Sequence, residues 1–155
     1  MKRICLSLAA ALSVAAAASA AAAPQIRAPR AHASAAAKVQ LRHTSLGSIL
    51  TSSSGFTLYV FTRDHGDHNS CASVKGCEQV WPALTSSGKP SAGSGVRSSL
   101  LGTIKLSGGR TQVTYAGHPL YLYRGDHAPG QTDYVGVSFF GGTWDAINSA
   151  GHFIH

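Results

Sequence analysis

The amino-acid sequence predicts an all-β fold: a small domain of two similar β-repeat units with one disulfide-closed loop. The first observation is a repeated pattern, G-x2-L-Y-x-[FY]-x2-D-H, which occupies Gly55–His65 and again Gly117–His127. A second pair of matching segments follows, Trp81–Leu84 and Trp144–Ile147, at nearly the same offset along the chain. Neither half could bury its apolar face alone, so two units that share one core are expected. The 17 glycines, together with many serines, supply the turns that short strands need.

The first twenty residues predict an export signal. Lys2 and Arg3 precede Ile4–Ala18, an unbroken run of apolar and small residues, and Ala18-Ser19-Ala20 is a small-x-small cleavage pattern. The alternative is an uncleaved anchor, because residues 4–23 are long enough to cross a bilayer as a helix. We expect cleavage after Ala20, since alanine-rich segments insert weakly, and no transmembrane segment beyond it. The protein is therefore expected outside the cytoplasm, either secreted or retained at the bacterial cell envelope.

Residues 21–40 predict a disordered linker. The segment is rich in alanine and proline and has almost no large apolar residue, so it cannot bury enough surface to offset its ordering entropy. Its cations, Arg27, Arg30 and Lys38, would favour weak contact with a cell wall or membrane surface, and a solvated tether is the alternative. Much of the formal net charge of +7 comes from this linker and from the leader. The domain that follows is nearly neutral, which argues against a nucleic-acid partner.

Residues 41–155 predict the folded domain, with repeats at about 46–84 and 103–154. Within the repeated motif Tyr59 and Phe61 alternate with Leu58 and Val60, so the two pairs point to opposite faces of a strand. Apolar residues on both faces indicate a strand that is covered on both sides. No window predicts an amphipathic helix, although Ser98–Leu101 predicts a helical turn. The other predicted strands are Leu46–Leu50, a meander of Thr103–Leu106, Thr111–Tyr115 and Pro119–Arg124, and a closing hairpin of Thr143–Ile147 and His152–Ile154.

The cysteine count is odd until the export signal is recognised. Cys5 lies inside the predicted leader and is removed with it, which leaves Cys71 and Cys77 in an oxidising compartment. A disulfide between them closes a short loop and contributes roughly 2 kcal/mol in the chain-entropy model. Metal binding is the alternative for a C-x5-C pair, but a second ligand pair at comparable spacing is missing from the sequence.

Several motifs occur together: two Y-x4-D pairs (Tyr59/Asp64 and Tyr121/Asp126), CASVKGCEQVWPAL, SLLGTIKLSGGRTQVTYAGHPLYLYRGDHAPG and FGGTWDAINSAG. In this combination they resemble the bacterial family of secreted repeats of unknown function, whose members are often predicted lipoproteins. The resemblance covers about Gly47–Gly151 and implies an exported β-repeat protein with no established activity. The chain departs from the family at two points. No cysteine follows the cleavage site to carry a lipid, and the spacing of the cysteine pair is longer than usual.

A cluster of imidazoles and carboxylates follows the first repeated motif. Asp64, His65, Asp67 and His68 are all chemically suited to bind Zn²⁺ or Cu²⁺, and Gly66 would let alternate side chains converge. His127, beside Asp126, occupies the equivalent place in the second copy, so a shared site between the repeats is conceivable. The alternative is that Asp64 and Asp126 cap turns by accepting backbone N–H groups, with the histidines exposed to solvent. No other cofactor is predicted.

The aromatic residues of the repeats have two interpretations. Tyr59, Phe61, Tyr121, Tyr123, Trp81 and Trp144 would form a platform for sugars or glycopeptides if they were exposed on one face. In a domain this small, aromatic residues on one strand face more often build the shared core, and we predict a core role.

Catalytic patterns are few. Glu78 is the single glutamate, so a Glu/Glu glycosidase pair is impossible, and the nucleophile-elbow, zincin and P-loop motifs are absent from the sequence. Asp64 and Asp126 are the best acid/base pair for a hydrolase of wall material, provided that their carboxylates lie close together. We therefore predict a non-catalytic binding or structural module, with metal binding and wall hydrolysis as alternatives.

Overall fold

A computed structural model describes residues 35–155 and confirms the all-β prediction. Its strands are short, and its helical segments are single turns. None of the helices in this part of the chain has the length and apolar character needed to cross a bilayer. The elements in chain order are β1 (Lys38–Thr44), β2 (Gly47–Ser52), β3 (Tyr59–Phe61), a 3-10 turn (Cys71–Ser73), α1 (Cys77–Val80), β4 (Ser91–Ala92), 3-10 turn (Ser98–Leu100), β5 (Leu101–Lys105), 3-10 turn (Ser107–Gly109), β6 (Thr111–Tyr115), β7 (His118–Pro119), β8 (Val137–Phe139), β9 (Gly142–Ile147) and β10 (Phe153–Ile154).

The strands form three small sheets. In the first, β1 pairs with β2 in antiparallel register and with β4 in parallel register. In the second, β9 pairs with β3 along one edge and with β8 and β10 along the other. In the third, β5, β6 and β7 form the predicted meander. Backbone hydrogen bonds between the sheets join the three sheets around the core.

The two repeats interlock rather than simply stack. Tyr59 in repeat 1 pairs with Ala146 in repeat 2, and Tyr121 in repeat 2 pairs with Ala83 in repeat 1. The two tyrosines also exchange both of their backbone hydrogen bonds with each other, at 2.9 Å each. Because each contact has a counterpart with the repeats exchanged, the two units are related by an approximate two-fold arrangement, as in an isologous dimer.

The alternation within the repeated motif divides the core into two clusters, as predicted. Leu58 and Val60 lie in an aliphatic cluster, whereas Tyr59 and Phe61 lie in an aromatic one. The same division separates Leu120 from Tyr121 in the second copy. The strands are covered on both faces, since the successive side chains of β3 point in opposite directions.

Some boundaries differ from the predictions. The first strand begins at Lys38, inside the segment predicted as linker, because the fully buried Val39 pairs with Ser52. The predicted strand at 119–124 continues beyond β7 only as isolated pairings, because Pro82 on the facing segment has no N–H to donate. The one-turn helix α1 was not predicted. The export signal at residues 1–20 and the linker up to residue 34 lie outside the described residues.

The predicted disulfide between Cys71 and Cys77 is confirmed. Both cysteines are fully buried in the aromatic cluster. The bond therefore joins the loop after the first repeated motif to the core that the two repeats share.

Candidate functional site

A column of aromatic rings crosses the boundary between the repeats. The indoles of Trp81 and Trp144 stack with their centroids 4.0 Å apart and their planes 2° from parallel. Phe61 of repeat 1 stacks on Trp144 at 4.2 Å, and Tyr123 of repeat 2 lies against Trp81 at 4.4 Å. Tyr134 extends the column beyond Tyr123 at 3.9 Å. Each repeat therefore covers the other's tryptophan.

This column confirms that the aromatic residues form the core. Five of the six predicted aromatic residues are at most 1% exposed, and the exception is the half-buried Tyr123. The neighbours of Tyr123 in the column are Trp81 and Tyr134, each at a tilted, stacking angle. An extended aromatic platform for a sugar is therefore absent from the six aromatic positions.

The Y-x4-D motif forms two crossed hydrogen bonds. The Tyr121 hydroxyl donates to Asp64 Oδ2 at 2.7 Å, and the Tyr59 hydroxyl donates to both oxygens of Asp126, at 3.2 and 3.3 Å. Each tyrosine thus bonds to the aspartate of the other repeat. Burial and the adjoining carboxylate raise the pKa of both phenols, which keeps them protonated as donors.

The Asp64 carboxylate accepts hydrogen bonds from both repeats. Its Oδ1 accepts the backbone N–H of Ser70 at 2.8 Å, in addition to the Tyr121 bond at Oδ2. The loop that carries Ser70 is held by the Cys71–Cys77 disulfide and by the buried Asn69, whose amide donates to Gln112. Burial raises the pKa of Asp64, and the hydrogen bonds from Tyr121 and Ser70 counteract this effect. The turn-capping interpretation therefore holds at Asp64.

The Asp126 carboxylate lacks the corresponding backbone donor. Within residues 35–155 it accepts a hydrogen bond from Tyr59 alone, at distances long for a hydroxyl donor. The amides of His127 and Ala128 instead donate to the side chain of Gln131, so the loop does not use Asp126 as a cap. Burial, reinforced by the nearby Asp133, raises the pKa of Asp126 to about 6, although the Tyr59 bond acts in the opposite direction. The turn-capping interpretation does not apply here.

Asp126 also lines an open cleft of about 520 Å³, which we call the Asp126 cleft. Asp126 itself is 8% exposed. A volume of this size suits a small molecule, and a mostly apolar wall with a few polar groups is typical of ligand sites. The cleft is lined by Ser52, Ser53, Ser54, Phe56, Pro82, Leu84, Leu122, Tyr123, Arg124 and Asp126.

The predicted metal ligands are not brought together as a set. His65, Asp67 and His68 are exposed in a turn, where His65 and His68 pair through their backbones, and His127 is exposed as well. Asp64 is buried and bonded to Tyr121. No group of three or more His, Cys, Asp or Glu side chains placed to hold a metal occurs in the part of the chain that the structure describes.

Several site residues were not predicted from the sequence. Arg124, Gln131 and the serines at 52–54 carried no motif that singled them out. The two copies of Y-x4-D did single out Tyr59, Asp64, Tyr121 and Asp126 as matched positions, but the spacing within each motif gave no sign that hydrogen bonds cross between the repeats.

A family model described as "secreted repeat of unknown function" matches residues 41–85 and 102–148, which together make up more than half of the chain. The two matched segments contain the two interlocked units, one Y-x4-D motif in each, and they confirm both the resemblance and the two-repeat organisation. Comparisons with curated proteins and with solved structures give no match.

Proposed function

We propose that this chain, which belongs to the family of secreted repeats of unknown function, is a non-catalytic binding module whose ligand site is the Asp126 cleft. Its place of action is the bacterial cell envelope or its immediate surroundings. In this proposal the interlocked aromatic core is a rigid scaffold, and the cleft next to it is the functional surface.

One observation carries the proposal: two equivalent, equally buried carboxylates have unequal partners. Asp64 receives a backbone N–H and a short phenol bond, whereas Asp126 receives only a long, divided phenol bond. A buried carboxylate with unused acceptor capacity is costly unless a partner arrives. In this proposal an external donor that enters the cleft takes the role that the Ser70 N–H has in repeat 1.

The other clefts support a ligand site less well. Those lined by residues between 72 and 111 contain Lys75, Lys89, Lys105, Arg110 and Glu78, all of which are exposed or half-buried. A perturbed ionisable group in a concave apolar site is the stronger indication of a functional site. Only the Asp126 cleft among these combines the two features.

The two alternatives stay predictions. A Zn²⁺ or Cu²⁺ site at Asp64, His65, Asp67 and His68 would need a rearrangement, because Asp64 is engaged by Tyr121 and Ser70. Hydrolysis by Asp64 and Asp126 would need both carboxylates at one bond, whereas each is bonded to a different phenol. Calorimetric titration of the chain and of a His65→Ala/His68→Ala variant with Zn²⁺ and Cu²⁺ tests the first alternative.

The binding proposal is tested by a fragment screen followed with two-dimensional NMR on the isotopically labelled chain. We expect the fragments that bind to shift signals at Ser52–Ser54 and Leu122–Asp126, and Asp126→Asn to weaken the binding of fragments that carry a hydrogen-bond donor about tenfold. Asp67→Asn is the matched control, since it removes the same charge from an exposed position outside the cleft. A screen whose hits leave the cleft signals unchanged overturns the proposal.

A further inference from the structure

We infer that the Asp126 cleft binds a small zwitterion with an apolar side chain, that is, a free α-amino acid, with its ammonium group at Asp126 and its carboxylate at Arg124. The inference rests on the proposed function, because it names the chemical class of ligand for the same cleft.

Asp126 lacks the N–H donor that its counterpart in repeat 1 has. In repeat 1 the equivalent carboxylate accepts an N–H group from the chain itself, at 2.8 Å from Ser70. The molecule therefore contains an example of the donor that satisfies this position. An ammonium group supplies N–H donors with a positive charge, and charge-assisted bonds of this kind are about twice as strong as neutral ones.

A cationic residue, Arg124, lines the same cleft. The Arg124 guanidinium is exposed and has neither a hydrogen bond nor an ion pair with any residue from 35 to 155. Arg124 lines the cleft together with Asp126, and no ion pair joins the two side chains. A cation and an anion that line one cleft without pairing can each take the opposite charge of one ligand.

Apolar side chains also line the cleft. Phe56, Pro82, Leu84 and Leu122 give the cleft an aliphatic and aromatic lining. Burial of an apolar side chain against such a surface is favourable because it removes apolar area from water. A ligand with two charged groups and an apolar body matches all three parts of the site.

Other ligand classes fit less well. A simple amine would meet Asp126 but also the positive charge of Arg124, and a simple carboxylic acid would meet Arg124 but also the negative charge of Asp126. A neutral sugar would use the serine hydroxyls but would leave both charges without a counter-charge. Only the zwitterion complements both ends at once.

The test is calorimetric titration of the purified chain with L-leucine, L-leucinamide, N-acetyl-L-leucine and N-acetylglucosamine as probes. Leucinamide retains the ammonium group alone, and N-acetyl-leucine retains the carboxylate alone. We expect leucine to bind at least tenfold more tightly than either analogue. These comparisons use the unmodified protein, so they do not depend on the folding of a variant.

Two variants assign the ends of the ligand. Asp126→Asn is expected to weaken leucine about tenfold and to leave N-acetyl-leucine unchanged or tighter, whereas Arg124→Gln is expected to weaken leucine and to leave leucinamide unchanged or tighter. Arg97→Gln is the matched control for the second, because Arg97 is exposed and lies outside the cleft lining. Equal effects of each variant on all leucine derivatives would contradict the assignment.

The remaining outcomes separate the two proposals. If N-acetylglucosamine or a single-charge analogue binds in the cleft as tightly as leucine, the inference is wrong and the binding function stands. If none of the probes binds and the fragment screen also leaves the cleft signals unchanged, both proposals fail.

Discussion

The surroundings of Asp64 and Asp126 show how one motif acquires two roles. Both carboxylates follow the same Tyr-x4-Asp pattern, both are 8% exposed, and both bond to a tyrosine of the other repeat. Asp64 gains a backbone donor from a disulfide-closed loop, whereas Asp126 gains none and borders an open cleft. The two repeats share the scaffold contacts, and the loop that follows each motif determines whether its carboxylate is satisfied within the protein.

The loops differ because their turns are capped by different side chains. In repeat 1, Asn69 and Asp64 accept the amides of Ala72 and Ser70. In repeat 2, a single residue, Gln131, accepts two consecutive amides. The glutamine replaces the aspartate as the capping group, and Asp126 is thereby left with spare acceptor capacity.

The largest effect tests the shared core. Trp81→Ala and Trp144→Ala should each lower the free energy of unfolding by about 3–5 kcal/mol, because each indole is fully buried and stacks on rings of the other repeat. The loss should be about 1 kcal/mol larger for Trp144, whose Nε1 donates to the Phe139 carbonyl at 3.2 Å. The Trp81 Nε1 is buried without a partner among the described residues. Urea unfolding followed by circular dichroism measures both, and a loss below 1 kcal/mol for either would contradict the interlocked core.

The next effect is confined to repeat 1. A Cys71→Ala/Cys77→Ala variant should lower the free energy of unfolding by about 2 kcal/mol through loss of the short closed loop. NMR shifts should change at Ser70 and Asp64 and remain unchanged at Asp126, whose loop has no disulfide. Ser73→Ala, an exposed change in the same loop, is the control. Equal shifts at both aspartates would show that the loops are not independent.

A third effect distinguishes Asp126 from Asp64 by the pH dependence of the free energy of unfolding. Because the pKa of Asp126 is raised to about 6 in the folded protein, the native state holds a proton that the unfolded state releases near pH 4. The stabilisation that this proton gives the native state is therefore fully present below pH 4. It is lost as the pH rises to 6, so the free energy of unfolding falls by on the order of 2 kcal/mol. Asp126→Asn should remove this decline, as measured by urea unfolding at several pH values. Asp67→Asn should retain it, and an identical pH profile for wild type and Asp126→Asn would disprove the assignment.

The smallest expected effect is the difference in strength between the Tyr121–Asp64 and Tyr59–Asp126 hydrogen bonds. Tyr121→Phe should lower the free energy of unfolding by about 1.5–2 kcal/mol, since it removes a short bond to a buried carboxylate. Tyr59→Phe should lower it by less than about 1 kcal/mol, because the bonds to Asp126 are long and divided. Thermal or urea unfolding at one pH gives the difference, and a larger loss for Tyr59→Phe would reverse the order inferred from the distances.

Much of the local structure could be predicted from the sequence. The alternation of Leu58, Tyr59, Val60 and Phe61 predicted two covered faces, because side chains alternate with a period of two in any strand. The disulfide followed from two cysteines close in sequence in a chain predicted to be exported. The start of β1 was missed because Val39 is buried by β2, a partner that the composition of residues 21–40 does not reveal.

The repeat, the two faces of its central strands and the disulfide could be predicted from the sequence alone, since each depends on residues close together in the chain. Which tyrosine bonds to which aspartate depends on the assembled fold, because local spacing sets the face of a strand but not its partner. The unequal states of Asp64 and Asp126 likewise arise from loops that fold differently after identical motifs. The Asp126 cleft exists because Ser52–Ser54, Pro82 and Arg124, distant along the chain, come together only when the repeats interlock.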